Sequence, residues 1–325
     1  MGKSPRVSII IAAREGQADI PALAQLESLQ SQSSQFEILL ARGAQPSCQR
    51  NRAAEQAHGA ILYFLDDDSL LDKGNLDRLL AAFSDPNLAV VGGPNLCPPE
   101  APFLQKVFAA VMGSWLAFGP SAARYRQIGV VRATSEKELI LCNLAILASE
   151  FKRAGGFDEA LYPNEENALL DRLMGEGKQL RYDPDLVVYR HPRESVVAFV
   201  WMLFRYGRGR GEQVRLHPSV GSALNFVPAF FVCYVFGLVL SGMFLGPIPF
   251  IVQLPMVGYL LVTLVWGLNL VRQAGGGIGF CGMPFLPVAH LAYGVGLWKG
   301  LVLGPSGQTN SKAAVEVSVE RVGSV

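Results

Sequence analysis

Acidic residues are absent between Glu212 and Glu316, and from Pro218 to Val271 no residue carries a charge of either sign. So long an uncharged stretch excludes an ordinary solvated surface. It contains two apolar runs, near 223–244 and 248–271, each reaching the roughly 20 residues a helix needs to cross a bilayer. Gly246-Pro247-Ile248-Pro249 separates them. A third run, near 283–304, holds His290, Lys299 and several Gly and Pro. It is either a further crossing or a segment lying at the interface, and a crossing is the expectation.

Cysteine is scarce as well. The five residues Cys48, Cys97, Cys142, Cys233 and Cys281 stand singly, without the spacing of a metal framework. Their odd number and scatter fit reduced packing residues better than a disulfide scaffold. The net charge of +1 excludes the strong global field that nucleic-acid binding uses, so no nucleic-acid partner is expected. Met1 to Arg6 contains no long apolar segment before the first strand pattern, so no signal peptide is expected. Internal repeats and low-complexity tracts are lacking, and residues 305–325 read as a disordered tail.

What remains is a chain of 325 residues that is 50% hydrophobic, with a mean hydropathy of +0.27. That is too apolar for a wholly soluble protein and long enough for one water-soluble domain. The expected division is a globular part over 1–215 and a membrane part over 216–304 with two to three transmembrane helices. Arg205, Arg208, Arg210 and Arg215 stand just before the first run. Lys/Arg bias marks the cytoplasmic side of a span, so the expectation is a multi-pass protein of the inner or plasma membrane with its globular part in the cytoplasm.

Within the globular part, Val7 to Ala13 is the β-branched run of a buried parallel strand, and Ile20, Leu23, Leu26 and Leu29 follow at helical spacing. Strands are predicted at 36–41, 60–65 and 88–93, with helices at 46–59 and 72–83 between them. Such alternation implies a doubly wound sheet, whose ligands bind beyond the carboxyl ends of the strands. The loops 14–19, 42–47 and 66–72 are therefore the ones to inspect. Further on, an amphipathic stretch over 103–118 precedes a basic irregular loop, a strand near 139–147, a helix over 166–176 and a strand near 186–189.

The strand Ile61 to Leu65 ends in Asp66-Asp67-Asp68. Three adjacent carboxylates repel one another unless a cation joins them, and oxygen-only ligands suit Mg²⁺ or Mn²⁺. A solvated turn or helix cap is the bland alternative; the position at the end of a buried strand argues for the metal. Glu165 and Glu166 open a helix whose expected core face is Leu169, Leu170, Leu173 and Met174, so they are either first-turn carboxylates or functional acids. The segment after the first strand, Ala12-Ala13-Arg14-Glu15-Gly16, is not the Gly-rich, Lys-bearing loop of a nucleotidyltransferase, which weakens that rival. A non-catalytic membrane scaffold is the other rival of a different class.

Five motifs together, Val7 to Ile11 leading to Arg14-Glu15, Phe64-Leu65-Asp66-Asp67-Asp68, Gly155-Gly156-Phe157-Asp158-Glu159, Asn164-Glu165-Glu166, and Phe204 to Arg210, resemble family 2 glycosyltransferases of the GT-A fold. The likeness is strongest to bacterial membrane-bound members that build exopolysaccharides such as succinoglycan. It implies a Rossmann-like α/β domain, a mixed or parallel sheet with flanking helices, followed by C-terminal transmembrane helices. It implies a metal-dependent inverting transfer from a nucleotide-sugar donor to a lipid-linked saccharide or polysaccharide. By this resemblance Arg14, Glu15, Asp66, Asp67 and Asp68 bind the donor, while Asp66 and Asp68 meet the metal, with His191 a candidate ligand. Glu166 would be the general base, with Glu165 as its alternate. Arg205, Tyr206, Arg208 and Arg210 would meet the acceptor or diphosphate. The family's carboxylate after the second strand is missing here, where Ala41-Arg42-Gly43 stands. A transfer onto polyprenyl phosphate is a nearer alternative, and it needs no base.

Overall fold

The computed structural model describes residues 6–30, 35–216, 218, 225–244, 247–304 and 316–322. In chain order these form β1 (Val7–Arg14), α1 (Pro21–Gln30), β2 (Phe36–Gly43), α2 (Pro46–Gln56), β3 (Ile61–Asp66), β4 (Leu70–Leu71), α3 (Asn75–Ala82), β5 (Leu88–Gly92) and β6 (Asn95–Leu96). Next come α4 (Phe103–Met112), α5 (Trp115–Phe118), a short 3-10 helix, β7 (Arg132–Ala133), β8 (Asn143–Leu147), α6 (Ala148–Arg153), α7 (Glu165–Gly175), β9 (Gln179–Tyr182) and β10 (Val188–Tyr189). The chain ends with α8 (Val196–Leu216), α9 (Val227–Phe244), α10 (Phe250–Ala274), α11 (Gly276–Gly282), α12 (Phe285–Leu303) and β11 (Ser318–Val322).

The chain divides into two compact units, one of residues 1–98, 123–191 and 307–325, the other of 99–122 and 192–306. The boundary thus differs from the expected division at 215: α8 groups with the apolar helices, and so does the α4 segment.

In the first unit an eight-stranded sheet has the order β11-β2-β1-β3-β8-β5-β9-β7. β2, β1 and β3 are parallel, β8 lies antiparallel between β3 and β5, and β11 pairs antiparallel with β2. The sheet is mixed. Its central strands are apolar on both faces because helices cover both: Ile9 and Ile11 point into one cluster with Leu26 and Leu79, while Ile10, Leu62 and Phe64 point into the other with Leu169 and Leu170. A small second sheet, β4-β10-β6, stands at the carboxyl end of β3. Residues 318–322 were expected in a disordered tail, yet they form β11; Val319 packs on one core cluster and Val322 on the other. The rest of that tail lies outside the described residues, apart from Glu316 and Val317.

In the second unit, α9, α10 and the α11–α12 segment are long and apolar enough to cross a membrane, with mean hydropathies of 2.1, 1.9 and 1.4 over their most apolar windows. α9 and α10 present large exposed apolar side chains, among them Phe230, Phe236, Ile251 and Leu261. α12 instead runs alongside α8. A Cβ on Gly207 would meet the Tyr293 carbonyl at 2.0 Å, and one on Gly300 the Arg208 carbonyl at 2.1 Å, so only glycine permits this approach.

Candidate active site

β3 carries Asp66 to the carboxyl edge of the sheet, and the turn beyond it is closed by Ser69. The Ser69 amide donates to the Asp66 carbonyl at 3.1 Å, and the Asp66 amide donates to Ser69 Oγ at 3.3 Å. The cations that hold Asp66 and Asp68 are arginines. Arg50 Nη2 lies 2.8 Å from Asp66 Oδ1, Arg190 Nη1 lies 2.7 Å from Asp66 Oδ2, and Arg190 Nε lies 2.5 Å from Asp68 Oδ1. Asp67 is held apart from them, accepting from Gln17 Nε2 at 2.6 Å. Burial lifts the Asp68 carboxyl above its usual range; Arg190 opposes that rise, and Asp66 and Asp67 add to it.

Arg50 belongs to a run in α2 that stitches the site together. Gln49 donates to the carbonyls of Ala13 and Ala41 at 2.7 and 2.8 Å, tying the ends of β1 and β2. Asn51 accepts from the Phe157 amide at 2.9 Å and donates to the Phe157 carbonyl at 2.9 Å. That clamp fixes the Gly155-Gly156 turn, where both glycines have positive φ and a Cβ on Gly156 would sit 2.7 Å from Asn51 Oδ1. Between them, Arg50 spans two acidic loops, since its Nη1 lies 3.1 Å from Glu165 Oε1.

The second acidic loop opens α7. Asn164, with φ 110°, turns the chain into the helix, a conformation asparagine tolerates better than most residues, and its side chain accepts from Asn167 Nδ2 at 2.7 Å. Glu165 is 2% exposed. Burial, with the Glu166 charge adding, pushes its carboxyl up to about 7 although Arg50 pulls the other way. Glu166 faces different groups: Asn167 Nδ2 donates to it at 3.2 Å, and Arg124 Nη1 lies 3.9 Å away. Arg124 is itself fixed by the Lys137 carbonyl at 2.8 Å and Asn167 Oδ1 at 2.6 Å. Glu165 therefore reaches the Asp66 turn through one shared guanidinium, and Glu166 stands beside it against a second.

Arg14 and Glu15 lie exposed in the loop after β1. Arg42 donates to the Gln17 carbonyl at 2.7 Å, so it braces that loop. Cys142 is buried close to Asp66, Asp68 and Arg190, and burial pushes its thiol up to about 12, which suits an inert packing residue. Arg205, Tyr206, Arg208 and Arg210 all lie on α8 in the second unit. Arg205 is exposed, Arg208 pairs with Glu212 at 3.2 Å, and buried Arg210 donates to Gln213 Oε1 at 3.1 Å.

Among the described residues no three His, Cys, Asp or Glu side chains assemble as metal ligands, so His191 is not gathered with Asp66 and Asp68. The donor set still fits a hard divalent cation. Mg²⁺ commonly takes one or two carboxylates and fills its sphere with phosphate and water oxygens. Arg190 between Asp66 and Asp68 shows that a positive charge is accommodated there. Arg50, Arg190 and Gln17 escaped the sequence reading. The one signal, for Arg50 alone, is Gln49-Arg50-Asn51 inside a helix too polar for a sheet-covering element; in the fold its Ser47, Gln49 and Arg50 are buried.

Residues 21–129 match the profile of Glycosyl transferase family 2. The chain is 25% identical over 152 residues to the succinoglycan biosynthesis protein ExoA of Rhizobium meliloti (strain 1021), covering 47% of this chain and 44% of that one. It is 26% identical over 176 residues to the pre-mycofactocin glycosyltransferase of Mycobacterium tuberculosis (strain ATCC 25618 / H37Rv), covering 54% and 36%. These matches span less than half the length of the curated relatives. Among solved structures, the mannosyltransferase PcManGT from Pyrobaculum calidifontis in complex with GDP-Man and Mn²⁺ superposes with a TM-score of 0.58 at 14% identity, over 91% of this chain and 87% of that one. At that identity the likeness concerns the fold, which is the GT-A type expected.

Proposed function

We propose, from the match of residues 21–129 to glycosyl transferase family 2, that the chain is a membrane-anchored inverting glycosyltransferase that moves a sugar from a nucleotide-sugar donor to a hydroxyl of a lipid-linked saccharide. The observation that carries this is the chain Asp66–Arg50–Glu165, which couples the acidic turn after β3 to the acidic opening of α7. A donor-binding carboxylate and the helix opening that bears the proton-accepting Glu166 would thereby share one edge of the sheet.

Asp66 and Asp68 would hold a Mg²⁺ or Mn²⁺ ion, which when bound would neutralise charge on the departing nucleotide diphosphate. Arg190, freed from one carboxylate, would turn its guanidinium to phosphate oxygens, an anion its planar fork suits. Glu166 accepts the acceptor hydroxyl's proton as that oxygen attacks the anomeric carbon. It is the more accessible of the two acids, at 9% exposure against 2% for Glu165. Glu165 is a positioning residue, keeping Arg50 and hence Asp66 in place. Arg14 and Glu15 remain proposed donor contacts, and Arg205, Tyr206, Arg208 and Arg210 proposed acceptor contacts; Arg208 and Arg210 would first have to leave Glu212 and Gln213.

The apolar helices would keep the enzyme beside a membrane-bound acceptor, with the sheet in the cytoplasm. The test is a screen of nucleotide sugars against membranes containing the protein, read by mass spectrometry of lipid-linked products. GDP-mannose is the first donor to try, since the PcManGT structure holds it. Transfer from at least one donor, lost on Asp68→Asn, is the expected result; no transfer from any donor to any membrane lipid would overturn the proposal.

A further inference from the structure

We propose that the chain crosses the membrane twice, through α9 and α10 alone, and that α12 lies beside α8 outside the hydrocarbon core, on the side of the sheet. This rests on the reading that the apolar helices anchor the chain in a bilayer. Three independent observations carry it.

The first is parity. β11 is hydrogen-bonded to β2 over five residue pairs, from Ser318 opposite Arg42 to Val322 opposite Ile38. Arg321 adds an ion pair to Glu37 at 2.9 Å and donates to the Gln56 carbonyl at 2.8 Å. The chain leaves the sheet's unit after His191 and returns to it by residue 316. A sheet occupies one side of a membrane, so the intervening segment crosses an even number of times. Three helices qualify by length and composition, and one of them therefore does not cross.

The second observation selects α12. Its residues from Tyr293 to Gly304 run in the same direction as α8, at backbone contact: Gly207 lies against Tyr293, Gly296 against Phe204, Gly211 against Leu297, Gly300 against Arg208 and Gly304 against Arg215. That face of α8 bears Arg208, Glu212 and Arg215, and a helix with Arg205 and Arg210 besides does not sit in hydrocarbon. Only Phe285 to Ala292 of α12 lies beyond that backbone contact, about 12 Å of helix at 1.5 Å per residue against the roughly 30 Å of a bilayer core, and there Phe285 still packs its ring on Phe199 of α8 with centroids 5.9 Å apart.

The third is charge. The α9–α10 connection, Leu245 to Pro249, is uncharged, whereas Arg215 precedes α9 and Arg272 closes α10. A two-crossing hairpin places both arginines on one face and the bare loop on the other, as the positive-inside rule requires.

Full-length protein carrying epitope tags before Met1, between Pro247 and Ile248, and after Val325 settles the matter by antibody access in right-side-out and inverted vesicles. The first and third tags are expected on one face and the middle tag on the other. The Val325 tag opposite the Met1 tag would mean three crossings and overturn this inference while leaving the anchor intact. All three tags on one face would mean no crossing, which overturns the inference together with the membrane-spanning reading.

Discussion

Glu165 is held protonated further up the pH scale than an ordinary glutamate, and that has a measurable cost. Its carboxyl ordinarily titrates at 4.5 and is pushed to about 7 in the fold, chiefly by burial and then by Glu166. A carboxyl with a raised folded value favours folding below the unfolded value and loses that advantage as pH rises through the folded one. Between pH 4.5 and 7 the unfolded chain ionises while the folded chain keeps its proton. At 1.36 kcal/mol per tenfold change in proton affinity, the interval is worth about 3 kcal/mol. Glutamine at this position cannot titrate, so Glu165→Gln removes that slope. The attraction between ionised Glu165 and Arg50, which the variant also lacks, acts only as Glu165 ionises and is already contained in the folded value of about 7. Thermal unfolding in detergent at pH 4.5 and 7.5 is the assay. For a folding unit of about 150 to 250 residues the wild type should fall relative to the variant by roughly 6–12 °C between the two pH values. Parallel profiles would refute the assignment of a buried, protonated Glu165.

Three further outcomes are expected. Glu166→Gln should lower turnover by about 10²- to 10⁴-fold with donor affinity nearly unchanged, as loss of a general base does; full turnover by this variant would point to an already ionised phosphate acceptor. Asp68→Asn should abolish metal-supported donor binding, measured by calorimetry with and without EDTA, while the unfolding midpoint stays close to wild type, because its side chain is 42% exposed and paired only at the edge of the cluster; donor binding insensitive to EDTA would remove the metal from the mechanism. Arg190→Gln should tighten Mn²⁺ binding in the absence of donor by on the order of tenfold, followed by electron paramagnetic resonance, because the guanidinium no longer competes for Asp66 and Asp68; unchanged or weaker binding would show that Arg190 does not occupy the ion's place.

The parts of the fold legible in sequence are those that local pattern dictates. β1 and β3 are continuous apolar runs because both faces are covered, and Asp66 stands where such a run stops, which locates the site from one segment alone. The acidic opening of α7 was legible for a similar reason, since its core face of Leu169, Leu170 and Leu173 fixes where the helix begins. β9 and β11 were not. Gln179 to Tyr182 and Ser318 to Val322 are short and partly charged, and each becomes a strand only because a partner's edge is available, β5 for one and β2 for the other. No window of sequence contains that partner.

The same distinction separates the acids of the site from its arginines. A carboxylate triplet announces an unmet need for positive charge, and the sequence alone suggests a metal ion as its supplier. Which cation meets the need depends on residues far away: Arg50 lies 16 positions before Asp66, and Arg190 lies 122 positions after Asp68. Both are delivered by sheet topology, one from the helix that follows β2, the other from the end of β10, whose partner β4 immediately follows the triplet. Arg50 is 5% exposed and paired on both sides by Asp66 and Glu165, so it is fixed in the scaffold. Arg190 is the exchangeable one, since it bridges two carboxylates of a single turn whose outer member, Asp68, is partly open to solvent. The two arginines thus divide the labour that sequence assigned to one ion: Arg50 couples the acidic turn after β3 to the opening of α7, and Arg190 holds the place between Asp66 and Asp68 that a metal would take.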